Sequence, residues 1–564
     1  MTDDFHAPEP AQTTHGVDNV GGGTRAAATR KRRRILGSGA GAAVLAIALL
    51  GAAALSGCSA PAAPESTKSF PAFDKAEYAQ IGAAATAVKP VDATTIKVED
   101  KGVGESLPDW LMGLSIDTDF LNDNRLDPTG SDLAAMLKRL DKPVIRFGGQ
   151  SVDRRFFWTS TDEPIPNWTL NPAYKGDKRP IVKVQPADLE RLKRLLDASD
   201  GKVVLSADMG HFDPARNADL AANAEKILGD RLLGISLGNE PNGYNRTMSP
   251  YYTLRGPSWS FEDWAKEAAQ VADAMVKAAP GVKIVGPEVY SNEWWKKFAD
   301  AKLPNIGAMS YHHYPLNICP KDGDPLTPSI ERAMSRSLAD SSTAYSEAAV
   351  KVGKSANIPT WLTETGISTC AGANETTRKH VSGLSIVNYS LSAAQAGVSQ
   401  IDLHSTLDAC KGGAPLSPVC DAGTLKDPAG QFHMQPVYYG MMLVGNIGSG
   451  EFQKVDTAGD EDIYGYAVKH ADGSMSVAIV NQNDPTTSAQ APITITLPQA
   501  AATGTMTQMT GPAFDAADQT RIDGLESGGV AKADRARIPG FTAGSSTITL
   551  PLTSGTATVL TFTF

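Results

Sequence analysis

The sequence predicts an α/β protein built as a (β/α)8 TIM barrel with a C-terminal antiparallel β-sandwich domain. The first observation is a series of eight short apolar runs, most of them separated by helical stretches, over about 340 residues of the chain. The second is a change after about Gly450, where helical periodicity gives way to alternating stretches rich in threonine and valine. Repeated strand and helix units favour a barrel, whereas the alternating stretches favour a sandwich of roughly 110 residues.

The eight apolar runs are interpreted as buried parallel strands of the barrel, because each is bounded by glycine, proline or a polar residue. They are Leu111–Asp117, Pro143–Gly149, Val203–Gly210, Leu232–Pro241, Val282–Tyr290, Ile306–Pro315, Pro359–Gly366 and Val398–Thr406. Helical patterns between them cover Pro186–Ser199, Ser260–Ala279 and Ile330–Ala356. A doubly wound sheet is the alternative, but no glycine-rich dinucleotide-binding turn follows the first run.

The alternating stretches near the C-terminus are interpreted as strands of the sandwich. They are Tyr464–Lys469, Met475–Asn481, Pro492–Leu497, Ser546–Leu552 and Thr556–Phe564. Thr95–Glu99 has the same character, so residues 94–105 are a candidate to join the sandwich. The expected division is a signal segment at 1–58, a flexible tether at 59–93, the barrel at 94–450 and the sandwich at 451–564.

A basic cluster, Arg30–Arg34, precedes an apolar run from Ile35 to Leu55, which is the order of a secretory signal. The run ends in Leu55-Ser-Gly-Cys58, which resembles the bacterial lipobox and implies that Cys58 is lipidated. The alternative is an uncleaved helix, since about 20 apolar residues can span a bilayer. We therefore expect a protein at the outer face of the bacterial plasma membrane, or secreted, with the membrane as a partner through its N-terminal anchor.

The four remaining cysteines are an even number in an oxidising compartment, which favours disulfides. They allow three pairings, of which we favour Cys319–Cys370 and Cys410–Cys420, with free buried thiols as the alternative. No metal-ligand spacing accompanies them, so no metal is expected. The formal net charge of −10 argues against a nucleic-acid partner.

Two glutamates stand where predicted strands end, Glu240 after the fourth run and Glu364 after the seventh. Active sites of TIM barrels lie at this C-terminal face. Two carboxylates on different strands there are what cleavage of a glycosidic bond requires, one as an acid and one as a nucleophile. We assign Glu240 as the acid and Glu364 as the nucleophile. The expected separation of about 5–5.5 Å between the carboxyl groups predicts retention of configuration.

Other polar residues at the strand ends complete the predicted site. Asn239 is placed to contact the sugar hydroxyl beside the reacting carbon. Hydrogen bonds from His312, His313 or Tyr314 are expected to keep Glu364 ionised. The candidate substrate-binding residues on this basis are Asp117, Gly149, Gln150, Asn239, Glu288, His312, His313, Tyr314 and His404.

Four aromatic side chains near the ends of the fourth and fifth strands are candidates for outer sugar subsites, because aromatic faces stack on sugar rings. They are Tyr244, Tyr290, Trp294 and Trp295. Helix packing is the favoured interpretation for Trp294 and Trp295. Asp208, at the end of the third strand, is expected either to support the site or to cap its strand.

The motifs resemble those of a clan of retaining glycosidases with (β/α)8 barrels, in which Gly-Asn-Glu-Pro ends the fourth strand and a glutamate ends the seventh. Within that clan the chain is similar to glycoside hydrolase family 79, the β-glucuronidase and heparanase group. The matching segments are Ser115–Asp117, Arg146–Gln150, Gly286–Glu288, His312–Tyr314 and Gln435–Gly440. The resemblance implies cleavage of a terminal β-glucuronide by double displacement, with no cofactor.

Two positions depart from the pattern with which that family binds the uronate carboxylate. Ala371-Gly372 stands where the family has a Gly-Gly pair, and no tyrosine follows His404 until Tyr438. Neutral sugars, as cleaved by β-xylosidases, β-glucosidases or arabinofuranosidases, are therefore the alternative substrates. A third hypothesis is a non-catalytic envelope lipoprotein that binds carbohydrate. The partner in every case is a glycoside, an oligosaccharide or a polysaccharide.

Overall fold

The computed structural model describes residues 88–168, 180–245, 254–318, 326–370, 374–411, 413, 416–517, 519–523 and 536–564. These residues form a closed barrel of eight parallel strands with surrounding helices, and a separate ten-stranded sheet. The predicted TIM barrel with an additional β domain is therefore confirmed.

The predicted N-terminal anchor falls on residues that the structure does not describe. Both the apolar run from Ile35 to Leu55 and the proposed lipid site at Cys58 lie outside the described ranges. Within those ranges, no helix is both long enough and apolar enough to cross a membrane. Attachment to a membrane stays a prediction from the sequence.

The barrel strands follow one another in space as they do along the chain, and the eighth strand closes against the first. They are Met112–Asp117, Val144–Gly148, Lys202–Ala207, Leu232–Leu237, Ile284–Val289, Ile306–His313, Thr360–Thr365 and Val398–Ser405. All eight coincide with the predicted runs. Because parallel strands point the same way, Glu240 and Glu364 share the C-terminal rim of the barrel.

The interior of the barrel changes from apolar to polar toward that rim. A buried cluster near the strand starts consists of Val144, Val204, Val285 and Ala308. Side chains two residues apart on a strand point the same way, so Arg146 stands above Val144 and Ser206 stands above Val204. A polar layer therefore lies inside the barrel, beneath the candidate site.

The α-helices cover the outside of the barrel. They are Leu133–Lys138, Pro186–Ser199, Pro214–Leu228, Phe261–Ala278, Asn292–Asp300, Ile330–Ala333, Arg336–Ser355, Asn374–Thr377, His380–Ala396 and Pro436–Gly445. The single helix predicted over Ile330–Ala356 is two helices in the structure. Ser335 separates them, because its side chain accepts a hydrogen bond from the backbone N–H of Leu338 and starts a new helix.

Trp294 and Trp295 belong to this helical layer. They are 8% and 1% exposed, respectively. Trp294 packs edge-on against Phe261 at 5.2 Å, and Trp295 packs against Tyr345 at 5.1 Å. Both indoles therefore stabilise helix packing, and neither offers an open face to a sugar.

The loops that follow the second and eighth barrel strands carry small sheets and a disulfide. Short paired strands are Phe156–Trp158 with Val182–Val184, and Val419–Asp421 with Phe432–Met434. Cys410 and Cys420 form a disulfide after the eighth barrel strand. Cys370 is also disulfide-bonded, and its predicted partner Cys319 lies outside the described residues.

The second β domain is one curled sheet in which all but one of the strand pairs are antiparallel. Its strands are Thr94–Leu107, Gly450–Ala458, Ile463–Lys469, Met475–Asn481, Ala491–Ala501, Thr503–Thr510, Arg521–Asp523, Ala536–Arg537, Ser545–Leu552 and Thr556–Thr563. Apolar side chains from distant parts of the sheet, such as Ile495 and Leu560, meet in one core. The curl therefore gives a sandwich-like interior without two separate sheets.

The single parallel pair involves the strand that precedes the barrel. Thr94–Leu107 runs antiparallel to Gly450–Ala458 and parallel to Ala491–Ala501. No hairpin joins this strand to either neighbour, so no tight turn dictates its direction. The prediction of a purely antiparallel domain is therefore wrong for this pair, in which the strand that precedes the barrel lies parallel to a C-terminal strand.

His380 joins the barrel helices to the curled sheet. Its Nδ1 lies 2.9 Å from the hydroxyl of Thr520, and its Nε2 lies 2.7 Å from the carbonyl oxygen of Gly555. A carbonyl only accepts, so Nε2 carries the hydrogen and Nδ1 accepts from the threonine hydroxyl. Burial lowers the pKa of His380 to about 4. The imidazole is therefore a neutral bridge between the two parts of the fold.

We expect replacement of His380 by phenylalanine to lower the free energy of unfolding by about 1–3 kcal/mol at pH 7.5, because two buried polar partners lose their bonds. The folded state keeps this histidine neutral, whereas in the unfolded chain it titrates near pH 6.5. The unfolded state therefore binds more protons between about pH 4 and 6.5. The stability that His380 contributes should fall as the pH falls through that window. Urea unfolding of both proteins at several pH values measures this, and a pH-independent difference would contradict it.

Candidate active site

The carboxylates of Glu240 and Glu364 converge at the C-terminal rim of the barrel. One oxygen atom of each carboxylate and one ring nitrogen of His312 all lie within 4.8 Å of one another. Only 15% of the Glu240 side chain and 9% of the Glu364 side chain are exposed. The two carboxylates therefore share one confined space.

The backbone of Glu240 fixes the direction of its side chain. Glu240 has φ of 50° and ψ of 50°, and Pro241 begins a short helical turn directly after it. This left-handed conformation costs an ordinary residue on the order of 1–3 kcal/mol. The N–H of Glu240 donates to the carbonyl of Glu288 at 2.9 Å, and its own carbonyl accepts from the N–H of Gly243 at 2.8 Å. These bonds hold the sharp exit from the fourth strand in place.

The buried guanidinium of Arg146 connects four groups at the centre of the site. Its Nη1 donates to Ser115 Oγ at 2.8 Å and to Glu364 Oε2 at 2.9 Å. Its Nη2 donates to Asn239 Oδ1 at 2.8 Å and to Glu288 Oε2 at 2.5 Å. One cation thus balances two buried carboxylates and orients the amide beside Glu240.

Arg146 was not among the predicted site residues. The signal in the sequence is a single charge inside an otherwise apolar strand, two residues after Val144. Strand alternation points both side chains into the barrel, and a buried charge in that position requires a partner.

Glu288 was predicted to bind substrate but lies beneath the site, completely buried. Its Oε2 accepts hydrogen bonds from Arg146, from His312 at 3.0 Å and from Thr363 at 3.1 Å. Burial alone would raise the pKa of Glu288, but the charge of Arg146 and the hydrogen bond from His312 outweigh burial and lower the pKa. Glu288 therefore holds Arg146 and His312 in place from beneath the site.

His312 lies between two of the carboxylates. Its Nδ1 is 3.1 Å from Glu240 Oε1, and its Nε2 is 3.0 Å from Glu288 Oε2. Burial lowers the pKa of an imidazole, but the charge of Glu364 and the bonds to these two partners outweigh burial and raise the pKa of His312 to about 9. At neutral pH the ring is protonated, so both of its nitrogens donate.

Glu364 accepts from a second set of donors that faces the cleft. The Tyr314 hydroxyl donates to Glu364 Oε1 at 2.9 Å. His404 Nδ1 lies 2.7 Å from that hydroxyl and 3.5 Å from Glu364 Oε1, with 27% of its side chain exposed. Burial alone would raise the pKa of Glu364, but the charge of His312 and the hydrogen bond from His404 outweigh burial and hold the pKa well below its usual range. Glu364 is therefore an ionised carboxylate.

His313 does not join this cluster, contrary to prediction. Neighbouring residues of a strand point to opposite faces, so His312 faces the barrel interior and His313 faces the surrounding helices. There its Nδ1 lies 2.7 Å from the Tyr389 hydroxyl, and its ring stacks on Tyr345 at 4.2 Å. Burial lowers the pKa of His313 to about 3, which leaves the ring neutral.

The ends of the first and second strands are packed tightly together. Asp117 ends the first strand, and its Oδ1 accepts a hydrogen bond from Ser151 Oγ at 3.3 Å. Gly149 has φ of 69°, and a Cβ there would lie 1.9 Å from Asp117 Oδ1. Glycine is thus required at this position for two reasons, the backbone conformation and the contact with the carboxylate.

A small pocket adjoins Glu240, between the turn after the second strand and the end of the fourth strand. Its lining residues are Gln150, Asp153, Arg154, Asn239, Glu240, Tyr244 and Leu254. Gln150 Oε1 accepts a hydrogen bond from Arg154 Nη1 at 2.7 Å. Tyr244 is only 2% exposed, so it forms a wall of this pocket and not an open stacking platform.

The remaining predicted residues are tied to loops or lie outside the described chain. Asp208 accepts from the backbone N–H of His211 at 3.1 Å, and its Oδ2 lies 2.8 Å from His211 Nδ1. Tyr290 follows the fifth strand, where its carbonyl accepts a hydrogen bond from the Tyr345 hydroxyl at 2.6 Å. Ala371 and Gly372 are not described by the structure.

The same cluster holds the potential metal ligands of the described residues. Glu240, His312 and Glu364 are the group whose ligand atoms lie close enough together to hold an ion. Arg146 already supplies positive charge to Glu364, and protonated His312 has no free lone pair for a metal. The surroundings of these groups therefore suit proton transfer better than ion binding.

Comparison with known proteins finds likenesses among solved structures. No protein-family model matches the chain, and no curated protein sequence matches it. Several hundred solved structures do resemble it. A 4-O-α-L-rhamnosyl-β-D-glucuronidase from Fusarium oxysporum 12S is 17% identical with a TM-score of 0.60, over 83% of this chain and 100% of that one.

Two further similar structures are of enzymes named for other substrates. A GH51 arabinofuranosidase from Xanthomonas axonopodis pv. citri is 14% identical with a TM-score of 0.56, over 84% of this chain and 100% of that one. A bifunctional glucanase-xylanase from a metagenome library is 13% identical with a TM-score of 0.56, over 84% and 99%. At these identities the likeness shows a shared fold.

Replacement of Arg146 by methionine is expected to destabilise the protein by about 3–5 kcal/mol, because it leaves two buried carboxylates without their cation. A second change, Glu288→Gln, should restore part of that loss, since it removes one of the unpaired charges. Chemical denaturation of the wild type, the two single variants and the double variant measures the coupling. Strictly additive losses would contradict the pairing.

Proposed function

We propose that this protein is a retaining glycoside hydrolase that cleaves a terminal sugar by double displacement. The observation that carries the proposal is the convergence of the Glu240 and Glu364 carboxylate oxygens to within 4.8 Å. Retaining enzymes hold their carboxyl groups about 5–5.5 Å apart, whereas inverting enzymes need about 6.5–9.5 Å to admit a water molecule. The short separation matches the retaining class, in which one carboxylate attacks the sugar carbon directly.

The surroundings of the two glutamates support different roles for them. Glu364 accepts from Arg146 and Tyr314, so it is ionised and oriented as a nucleophile requires. Glu240 accepts from His312 through Oε1. In the proposed mechanism the transferable proton is on Oε2, because this contact leaves Oε2 open to the oxygen of the glycosidic bond.

In the first step the Glu364 carboxylate attacks the anomeric carbon as Glu240 gives its proton to the leaving oxygen. The glycosidic bond breaks, and a bond between Glu364 and the sugar forms. Asn239, held by Arg146, is placed to bind the hydroxyl next to the reacting carbon. Hydrogen bonds to that hydroxyl strengthen in the transition state.

In the second step Glu240 takes a proton from water, and the water oxygen displaces Glu364 from the sugar. Glu240 now acts as the general base, and Glu364 is the leaving group. Two inversions at one carbon give net retention.

We further propose that the sugar is a β-glucuronide. The resemblance of the strand-end motifs to glycoside hydrolase family 79 supports this, and so does the charge of His404 at the open side of Glu364. Burial lowers the pKa of His404, but its contact with Glu364 outweighs burial and raises the pKa. The protonated form of His404, which this contact favours, attracts a uronate more than a neutral sugar.

We also propose that the enzyme is a lipoprotein on the outer face of the plasma membrane. The basic cluster, the apolar run and Leu55-Ser-Gly-Cys58 support this location. Metabolic labelling with a fatty-acid analogue tests it, with Cys58→Ser as the matched control that should lose the label.

Glu364→Gln is expected to lower kcat/KM on nitrophenyl glycosides by at least about 10³-fold, because an amide cannot form the glycosyl ester. Glu240→Gln should cost about 10²–10⁴-fold, as expected for a lost general acid. Circular dichroism checks that both variants fold. Proton NMR of the wild-type reaction should show the product in the anomeric form of the substrate, and initial inversion would refute the mechanism.

A panel of nitrophenyl glycosides should show the highest kcat/KM on the β-glucuronide. His404→Asn is expected to lower activity on the glucuronide about 10-fold more than on a neutral glycoside, because only the uronate loses an opposite charge. Cleavage of β-xyloside, β-glucoside or arabinofuranoside without cleavage of glucuronide would favour the neutral-sugar alternative. Glycan binding without hydrolysis of any member would favour a non-catalytic binding protein.

A further inference from the structure

A buried aspartate in the turn after the second barrel strand holds the ends of the third and fourth strands together. Asp153 Oδ1 accepts from the backbone N–H groups of Met209 at 2.9 Å and Gly210 at 3.2 Å. Asp153 Oδ2 accepts from the backbone N–H of Asn239 at 2.8 Å. Asp153 is 1% exposed, so these bonds are made away from bulk water.

The turns that Asp153 connects lie in direct contact. A Cβ on Gly210 would stand 2.0 Å from the carbonyl oxygen of Asp153, so the two backbones pack as closely as glycine allows. Arg255 holds the same turn from the other side, because it donates to the carbonyls of Met209 and Gly210 at 2.8 Å each. The Met209–Gly210 turn is thus held by Asp153 through its backbone N–H groups and by Arg255 through its carbonyl oxygens.

The bond to Asn239 lies one residue before the strained backbone of Glu240. The N–H of Glu240 is held by Glu288, and the N–H of Asn239 is held by Asp153. These two consecutive bonds fix the peptides that enter the left-handed conformation. Loss of the Asp153 bond would let the fourth strand end relax and turn the Glu240 carboxylate away from the leaving oxygen.

We propose that Asp153 is a positioning residue for the proton transfer by Glu240. It accepts the N–H of Asn239 and thereby fixes the strand end that aims the carboxyl group of Glu240 at the leaving group. This inference rests on the proposed glycosidase function. It assigns Asp153 no contact with the sugar carbon and no part in the attack by Glu364.

The charges around Asp153 make the interaction sensitive to pH. Asp208, paired with His211, faces it from the third strand end, and Tyr244 lies beside it with Arg255 over the tyrosine ring. Burial and the charge of Asp208 raise the pKa of Asp153 to about 6, although its hydrogen bonds favour the ionised form. Protonation below that pH turns an acceptor oxygen into a hydroxyl donor and removes a partner from a backbone N–H.

The test compares leaving groups. A phenyl glycoside needs an acid to protonate its leaving oxygen, whereas a 2,4-dinitrophenyl glycoside leaves without that help. Asp153→Asn should lower kcat/KM about 10–100-fold on the phenyl glycoside and less than about 3-fold on the dinitrophenyl glycoside. Arg146 still holds the side-chain amide of Asn239 in this variant, so the proton transfer is the step that is misaligned. The sugar is the one that the wild type cleaves best.

Asp421→Asn is the matched control. Asp421 is also fully buried and accepts from three backbone N–H groups, those of Gly423, Ala429 and Gly430, at 2.6, 2.7 and 2.9 Å. It follows the eighth strand and has no bond to the Glu240 segment. This variant should keep the wild-type ratio of activities on the two glycosides, even if it loses stability.

The possible outcomes distinguish failure of the role of Asp153 from failure of the proposed glycosidase function. An inactive wild type refutes the proposed function. An active wild type with equal losses on both glycosides in Asp153→Asn refutes the role of Asp153 and leaves the function standing. If Asp153→Asn does not fold, Asp208→Asn is measured in its place. Removal of that neighbouring charge should shift the acidic limb of kcat/KM on the phenyl glycoside about 0.5–1 pH unit lower, and an unmoved limb overturns the inference.

Discussion

The site depends on one buried cation in the barrel interior. Arg146 lies above an apolar layer and donates to Ser115, Asn239, Glu288 and Glu364. Two carboxylates in so small a volume would repel each other strongly at the low effective dielectric of a protein interior. Removal of water from a charge costs several kcal/mol, which opposite charge and good hydrogen-bond geometry must offset. The fork of the guanidinium meets both needs because its nitrogens serve four acceptors at once.

Strand geometry decides which side chains can reach that cation. Alternate residues of a strand face the barrel interior, so two neighbouring residues of one strand cannot both reach Arg146. His312 faces the barrel interior, whereas His313 faces the surrounding helices. Left-handed residues lie near the C-terminal ends of the fourth and fifth strands, Glu240 with φ of 50° and Glu288 with φ of 59°. These bends aim the two carboxylates at different depths, one toward the cleft and one beneath it.

The barrel and its paired glutamates could be predicted because strand periodicity and strand ends are local properties of the sequence. How deeply each glutamate side chain is buried could not be predicted in the same way. Glu240 and Glu288 both lie at the ends of apolar runs. Only the packed structure shows that Glu288 is completely buried, whereas part of the Glu240 side chain is exposed. Thr503–Thr510 was missed as a strand because its apolar residues are few and its burial comes from neighbouring strands. Asp153, in a turn, carried no pattern at all.

The strand ahead of the barrel has a consequence for how the chain is made. Thr95 bonds to Ala458, 363 residues later, so the first strand of the sheet is synthesised long before its partners exist. An unpaired strand edge invites association with other chains, and such distant pairing is slow. The barrel is in effect an insertion within the sheet domain, and the two cannot be separated by a single cut. Any shortened form that begins after residue 107 would leave a groove between Gly450–Ala458 and Ala491–Ala501, open to a strand from a neighbour.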